Sequence, residues 1–132
     1  MKFFIDTSTL IEIENGNEEI ISKIHALKRT PFIDLCITIF TFCEFYHGAM
    51  EKNQANKEKI KQRLLQYKIL QTSTEVAVRF CELFYELKKK GKSLPQFDTF
   101  IAATTMEHEG VLITADNDFA QIPGLRTIIF PL

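Results

Sequence analysis

Four acidic residues have the types and positions that a divalent-metal site requires: Asp6, Glu44, Asp98 and Asp116. Asp6 directly follows the apolar run 3–5, and two residues separate Asp116 from the apolar run 111–113. Both runs are typical of buried parallel strands, and ligands of open α/β sheets bind outside the carboxyl ends of such strands. The sequence therefore predicts that Asp6 and Asp116 meet at one edge of a sheet.

The other two acids, Glu44 and Asp98, lie in or at the start of otherwise apolar helical stretches. A carboxylate in such a place is unfavourable unless a positive group, such as a metal ion, compensates its charge. Asp98 shares a helix face with Ile101 and the small Ala102, which would let that helix approach the sheet closely. Gly48, four residues after Glu44, is expected to serve the same purpose in its own helix.

Such a set of acids favours the hydrolysis of a phosphodiester. That reaction needs a positioned water and neutralisation of the charge on the transition state, and one or two Mg²⁺ or Mn²⁺ ions supply both. These ions prefer oxygen ligands and usually retain several waters. Three hydroxyl residues, Thr7, Ser8 and Thr114, are neighbours that would orient the carboxylates or bind the waters of a metal ion.

Composition limits the class of protein. At 132 residues the chain is long enough for one domain, and its 45% apolar and 25% charged residues are ordinary for a globular protein. No apolar stretch approaches the about 20 residues of a membrane helix, and no signal peptide is evident, so we expect a cytoplasmic protein with no membrane partner. The net charge of −1 lacks the broad basic field of many nucleic-acid binders.

The three cysteines do not have the spacing of a zinc site. Cys36 falls in a predicted strand, and Cys43 and Cys81 fall in predicted helices. Their apolar surroundings predict buried, reduced thiols.

Hydrophobic periodicity predicts strands that alternate with helices. The predicted strands are 2–5, 33–38, 67–71, 111–114 and 127–130. Helices are predicted at 8–13, 18–27, 41–50, around 60–65, 75–90 and 97–108, with a helical turn at 117–121. This order indicates a three-layer α/β/α sandwich with a mostly parallel central sheet.

Each acid also has a purely structural interpretation, because acids frequently cap helices. Asp6 would cap the helix that follows it, and Glu44 would complete a capping box with Thr41. Asp98 would cap the helix after Pro95, and Asp118 would cap the short turn that follows the fourth strand.

Four segments together resemble the PIN-domain family, and within it the VapC-like toxins of type II toxin–antitoxin systems. The segments are Phe4–Ile11, Thr41–Ala49, Asp98–Thr104 and Leu112–Phe119. Their order and separation match that family over the whole chain, so we expect a single PIN-like nuclease domain at 1–132.

The resemblance implies an Mg²⁺-dependent endoribonuclease that acts on RNA, is neutralised by a cognate antitoxin and is usually a homodimer. Mn²⁺ is the expected substitute ion. Carried over by position, Asp6 and Asp98 are the central metal ligands, and Glu44 and Asp116 complete the acidic cluster. Asp118 lies in the same segment as Asp116, and the sequence leaves open which of the two is the fourth acid.

Three other functions compete with this interpretation. A haloacid-dehalogenase-like phosphotransferase also has an Asp after its first strand, but it needs a second acid two residues later, where this chain has Ser8. A non-catalytic PIN-like RNA-binding module would typically have lost one or more acids, and none is lost here. A DNA-directed nuclease would normally carry extra helical clamps, for which 132 residues leave little room.

Aromatic residues are more numerous on two helices than one helix face can bury: Phe42, Phe45, Tyr46, Phe84 and Tyr85. Exposed aromatic side chains on neighbouring helices would suit a homodimer or an antitoxin. Because the acidic cleft has excess negative charge, an arginine is the expected antitoxin residue in it, through a bidentate contact with carboxylates.

Overall fold

Five strands form one parallel sheet in the computed structural model, which describes residues 1–130. The strands are β1 (Lys2–Ile5), β2 (Asp34–Thr38), β3 (Lys68–Leu70), β4 (Val111–Thr114) and β5 (Arg126–Ile129). Their order across the sheet is β3-β2-β1-β4-β5, and every neighbouring pair is parallel. The predicted sheet is confirmed, with strand bounds that differ by at most one residue at either end.

Within these residues, six α-helices surround the sheet: α1 (Thr7–Glu14), α2 (Glu18–Lys28), α3 (Ile39–Lys52), α4 (Lys57–Leu64), α5 (Thr74–Lys89) and α6 (Gln96–Glu107). Two short 3₁₀ turns, Gln54–Asn56 and Asn117–Gln121, precede α4 and β5. None of the helices in the described part of the chain has the length and apolar character to cross a membrane.

Alternate residues of the strands face opposite helical layers. Phe4 and Leu112 pack in a buried cluster with Leu87 of α5 and Ile101 of α6. Their neighbours Ile5 and Ile113 pack on the other face, in a cluster that includes residues of α1, α2 and α4. A strand with helices on both faces must be apolar on both sides, which explains the continuous apolar runs of β1 and β4. The predicted α/β/α sandwich is confirmed.

The connections place a topological switch point beside β1. From β1 the chain proceeds through β2 to β3 on one side, and it then crosses to β4 and β5 on the other side. The carboxyl ends of β1 and β4 are adjacent, since Ile5 pairs with Ile113. Open parallel sheets bind ligands in the crevice at such a point. Asp6 and Asp116 follow these two strand ends.

The start of α3 differs from the prediction. Thr38, not Thr41, caps this helix, because the Thr38 hydroxyl accepts a hydrogen bond of 3.0 Å from the Thr41 backbone N–H. The helix therefore begins at Ile39, one turn of backbone closer to β2 than the capping-box pattern suggested. The capping box of Thr41 and Glu44 is wrong, and Glu44 has a different partner.

The prediction for the cysteines is correct at one position only. Cys36 is fully buried in β2, whereas Cys43 and Cys81 are exposed. The apolar neighbours of Cys43 and Cys81 in the sequence lie on other faces of α3 and α5. Consecutive residues of a helix point in different directions, so apolar neighbours in the sequence do not establish which face a residue occupies.

Candidate active site

Asp6 lies at the end of β1 and is held by four hydrogen-bond contacts. Its side chain is 3% exposed. The Thr9 backbone N–H donates to Oδ1 at 3.0 Å, which makes Asp6 the N-cap of α1. The Ser8 hydroxyl lies 2.8 Å from Oδ1 and 3.0 Å from Oδ2, and the Thr114 hydroxyl donates to Oδ2 at 2.5 Å. The capping role and the candidate site role therefore belong to the same carboxylate.

These contacts connect Asp6 to the end of β4. The Asp116 backbone N–H donates to the Thr114 hydroxyl oxygen at 3.0 Å, and that hydroxyl in turn donates to Asp6. In parallel, the Ala115 backbone N–H donates to the Ser8 oxygen at 3.0 Å. The segment that carries Asp116 is thus fixed against Asp6 by two relays. The expected positioning roles of Ser8 and Thr114 match this geometry.

Burial has an electrostatic consequence for Asp6. Removal from water raises the pKa of its carboxyl, while the hydrogen bonds from Thr114, Thr9 and Ser8 lower that pKa and offset part of the effect. The ionised form is therefore supported by fixed dipoles and not by a neighbouring cationic side chain.

Glu44 reaches the same region from α3. Its Oε1 accepts a hydrogen bond of 2.8 Å from the hydroxyl of Thr7, the first residue of α1. Burial raises the pKa of Glu44, the Thr7 hydrogen bond lowers it, and the charge of Asp6 raises it. The negative charge of Asp6 therefore acts on Glu44 across the gap between α1 and α3.

Asp98 stands in the first turn of α6, where it does not serve as the cap. Pro95 occupies the cap position, and no side chain caps this helix end. A carboxylate in a first helical turn is favoured by the helix dipole. The interpretation of Asp98 as the helix N-cap is therefore wrong.

The other acids surround Asp98 closely enough to change its ionisation. Burial is the largest cause that raises the pKa of Asp98 to about 7. The further causes, in decreasing order, are the negative charges of Glu44, Asp116, Asp6 and Asp118. The four predicted site acids thus share one electrostatic environment, and no cationic group is among the causes.

Asp116 and Asp118 have different surroundings. Asp116 is half-buried and caps the turn Asn117–Gln121, where its Oδ1 accepts a hydrogen bond of 2.9 Å from the Asp118 backbone N–H. The side chain of Asp118 is exposed, and its charge has the smallest influence among the four acids that act on Asp98. The prediction that Asp118 caps this turn is wrong, since Asp116 does so.

The donor set fits a hydrated hard cation. Within residues 1–130, no three His, Cys, Asp or Glu side chains are close enough together to bind one ion directly. Mg²⁺ commonly binds through one or two carboxylates and keeps several waters, so direct convergence of all four acids is not required. The negative charge around Asp98, without a cationic partner, is the kind that a divalent ion would neutralise.

Two contributions to the site were missed at the sequence level. The Thr9 hydroxyl donates to the Ile113 carbonyl at 2.9 Å and so joins α1 to β4 beneath Asp6. The Ala115 N–H orients Ser8. A threonine on the apolar face of a short helix is a possible signal for the first contact, but a backbone donor in a loop leaves no signal in the sequence.

The aromatic residues are distributed differently from the prediction. Phe42, Phe45 and Tyr46 are half-buried against the core of the α1, α2 and α4 layer, so they form no free aromatic face. Tyr85 is exposed, as predicted, and Phe97 beside Asp98 is exposed as well.

A column of stacked rings lies between the helices next to Asp98. Phe100 stacks on Phe40 at a centroid distance of 4.3 Å and on Phe80 at 3.7 Å. Phe97 meets Phe40 edge-on at 5.4 Å. This column fixes α6 against α3 and α5, and it continues to the surface at Phe97.

Comparisons with known proteins agree with this architecture. The family model of the PIN domain matches residues 3–125. The chain is 29% identical to the tRNA(fMet)-specific endonuclease VapC of Salmonella typhimurium and 29% identical to the ribonuclease VapC2 of Haemophilus influenzae. Each alignment covers 96% of this chain and 96% of the relative.

Solved structures show the same fold. The structure of VapBC2 from Rickettsia felis, bound to a DNA fragment from the promoter, superimposes with a TM-score of 0.89 at 19% identity and covers 99% of this chain and 100% of that chain. DNA-bound VapBC from Salmonella typhimurium gives a TM-score of 0.85 at 26% identity and covers 98% of both chains. Since the family model spans residues 3–125, nearly the whole chain, this protein belongs to the PIN-domain family.

Proposed function

We propose that this chain is a metal-dependent endoribonuclease and the toxin of a type II toxin–antitoxin pair. The observation that carries the proposal is the electrostatic coupling of Asp98 to Glu44, Asp116 and Asp6 at the switch point of the sheet. The ribonuclease names of the relatives support RNA as the substrate.

The proposed metal is Mg²⁺, with Mn²⁺ as a substitute. Asp6 and Asp98 would hold it, with Glu44 and Asp116 acting directly or through waters. When bound, the ion would supply an activated water and neutralise charge on the phosphate. The four acids offer only oxygen atoms as ligands, which is the reason to expect a hard cation.

The residues of the chain have distinct tasks in this mechanism. Thr114 and Ser8 hold the Asp6 carboxylate in one orientation, so that no reorganisation is needed when substrate binds. Thr7 holds Glu44 on the side of α3. Asp98, whose pKa burial and the neighbouring acids raise to about 7, carries the charge that the cation would compensate. Asp116 is the proposed fourth acid because its charge raises the pKa of Asp98 more than the charge of Asp118 does.

The proposed partners are an RNA substrate, a cognate antitoxin and a second copy of the chain, all in the cytoplasm. The titles of solved relatives, which describe VapBC complexes, support the antitoxin. The exposed Phe97 and Tyr85 favour a homodimer contact on the side of α5 and α6. The antitoxin is expected to place an arginine among the acids, where a guanidinium forms bidentate contacts with carboxylates.

Co-expression tests the toxin role. The chain expressed alone should stop growth, whereas the chain expressed with the product of the adjacent small open reading frame should permit growth and co-purify with it. Asp98→Asn expressed alone should be harmless. A wild-type chain that is harmless alone and binds no neighbouring product contradicts the toxin role, while RNA cleavage by the purified protein would still support the nuclease.

A further inference from the structure

A pocket of about 350 Å³ adjoins the acid cluster, between α1, α3 and the turn before α4. Thr7 and Glu44 form one end of it, so the pocket and the candidate active site share two residues. Ligand pockets in proteins start at about this volume. A larger depression of about 790 Å³ lies along α5, but it shares no residue with the acids.

The pocket extends from the acids along two facing helices. On α1, Ile11 lies one turn beyond Thr7. On α3, Gly48 and Lys52 lie one and two turns beyond Glu44. One helical turn rises about 5.4 Å, comparable to the reach from a phosphate to a base of the same or the next nucleotide. A chain whose phosphate lies at the acids can therefore place a base in the pocket.

Gly48 keeps the pocket open. A Cβ atom added at this position would meet nothing within 4 Å, so the expected close approach of α3 to its neighbours is wrong. Glycine in the middle of a helix lowers helix stability relative to alanine, and packing gives no reason for it here. The missing side chain instead leaves space in the wall of the pocket.

The lining combines apolar surface with amide groups at the rim. Phe45 and Ile60 provide apolar surface, and Asn15, Asn53 and Asn56 provide the amides. Asn53 Oδ1 accepts a hydrogen bond of 3.1 Å from the Ala55 N–H, which leaves the Asn53 amide group free to donate. Asn56 stands at the start of α4 without capping it.

This chemistry matches a nucleobase. A base has an apolar face and an edge that carries donors and acceptors side by side, and an Asn amide presents the complementary pair. Proteins that read single-stranded RNA hold unstacked bases in this way, against aromatic side chains and through their polar edges. The pocket is continuous with the acids and carries the amides of Asn53 and Asn56 at its rim, which favours a base over an apolar peptide side chain.

The far wall of the pocket is tied in place. Arg63 of α4 and Glu14 of α1 form an ion pair of 2.6 Å, and Glu14 lines the pocket. Lys52 adds a positive charge near the rim, where a neighbouring phosphate of the RNA would pass.

We propose that this pocket binds one nucleobase of the RNA, next to the phosphate that is cut, and thereby sets the base preference at that position. The proposal rests on the ribonuclease activity proposed above.

Cleavage of RNA with randomised sequence tests the pocket. The purified full chain should prefer one base at a single position beside the cut. Gly48→Leu fills the pocket and should reduce that preference about tenfold, as expected when one base contact is lost. Asn56→Ala, at an exposed position, is a second variant that leaves the fold intact. Ala77→Leu, on the exposed surface of α5, is the matched control and should keep the wild-type preference. Unchanged preference and rate in both pocket variants overturn the proposal, as does a wild type without any base preference.

A binding experiment separates failure of this proposal from failure of the ribonuclease activity. In NMR titrations with the four nucleoside 5′-monophosphates, the backbone amide signals of Gly48 and Asn56 should shift, most strongly with one base, and Gly48→Leu should remove the effect. If the wild type cuts no RNA, the ribonuclease proposal fails and this titration alone decides on the pocket. Absence of these shifts overturns it. So does a Gly48→Leu protein that cuts RNA normally but no longer co-purifies with its antitoxin, because the pocket would then serve a protein partner.

Discussion

The Thr7 hydroxyl donates a 2.8 Å hydrogen bond to Oε1 of Glu44, across 37 positions of sequence. Thr7 is the first residue of α1, next to Asp6, and Glu44 is in the second turn of α3. Because Thr7 follows Asp6 directly, the bond limits the distance between Asp6 and Glu44. The bond also favours the ionised carboxylate, because burial and the charge of Asp6 both raise the pKa of Glu44 and the Thr7 hydroxyl lowers it.

Removal of this hydroxyl should weaken the site while the fold persists. Thr7→Val keeps the shape of the side chain but leaves Glu44 without its donor. We expect RNA cleavage or metal affinity to fall about 10–100-fold, as is usual when a group that orients a metal ligand is lost. Thr7→Ser, which restores the donor, should recover most of the single-turnover rate. Equal rates in Thr7→Val and the wild type would show that Glu44 needs no such support.

Asp98→Asn should stabilise the protein in EDTA at pH 8. The pKa of Asp98 is raised from 3.8 to about 7 in the folded protein, so the folded state binds a proton more tightly than the unfolded state does. The contribution of Asp98 to stability is therefore most favourable below pH 3.8, its pKa in the unfolded chain. Stability falls as the pH rises towards 7, and above pH 7 the folded protein bears the full cost of the buried Asp98 charge. The variant removes that penalty.

The expected rise in melting temperature is a few degrees, corresponding to about 1 kcal/mol after allowance for solvent screening of a half-exposed group. Melting curves of the wild type and Asp98→Asn from pH 5 to pH 8, both in EDTA, measure it. The two proteins should converge at low pH and diverge at high pH. A variant that is less stable than the wild type at pH 8 would contradict the inference that the charge of Asp98 is uncompensated without metal.

Asp116 and Asp118 should differ in their importance for cleavage. Asp116 is half-buried and linked through Thr114 to Asp6, whereas Asp118 is exposed and has the weakest influence on Asp98. Asp116→Asn should therefore reduce the cleavage rate at least tenfold more than Asp118→Asn does. Loss of a positioned acid–base group typically lowers a rate about 10²–10⁴-fold, and we expect the Asp116→Asn rate to fall in that range. The reverse order of the two rates would assign the fourth acid to Asp118.

The strands and the edge where the acids gather could be predicted because the signals were local. Two apolar runs ended in Asp6 and in the segment of Asp116, and parallel topology placed these ends together. The partner of Glu44 could not be predicted in this way. Thr41 and Glu44 have the spacing of a capping box, but Thr38 caps α3 and a threonine 37 residues away binds Glu44.

The orientation of helical residues was the other limit. Gly48 was expected to allow close packing, yet it faces open space in a pocket. Cys43 directly follows Phe42 in a largely apolar stretch and is nevertheless exposed. In both cases the residue type is compatible with two faces of the same helix, and only the packing of α3 against α1 and α4 selects between them.

Cleavage of RNA by the purified protein with and without divalent metal is the most direct test of the central claim that the acids form a metal-dependent nuclease site. With Mg²⁺ or Mn²⁺ the wild type should cut RNA, and EDTA should abolish the activity. Ca²⁺ should give little support because its longer and looser coordination would misplace the attacking water. Asp6→Asn and Asp98→Asn should be inactive at saturating Mg²⁺ although both remain folded. Full activity in EDTA, or wild-type rates in both variants, would contradict the assignment.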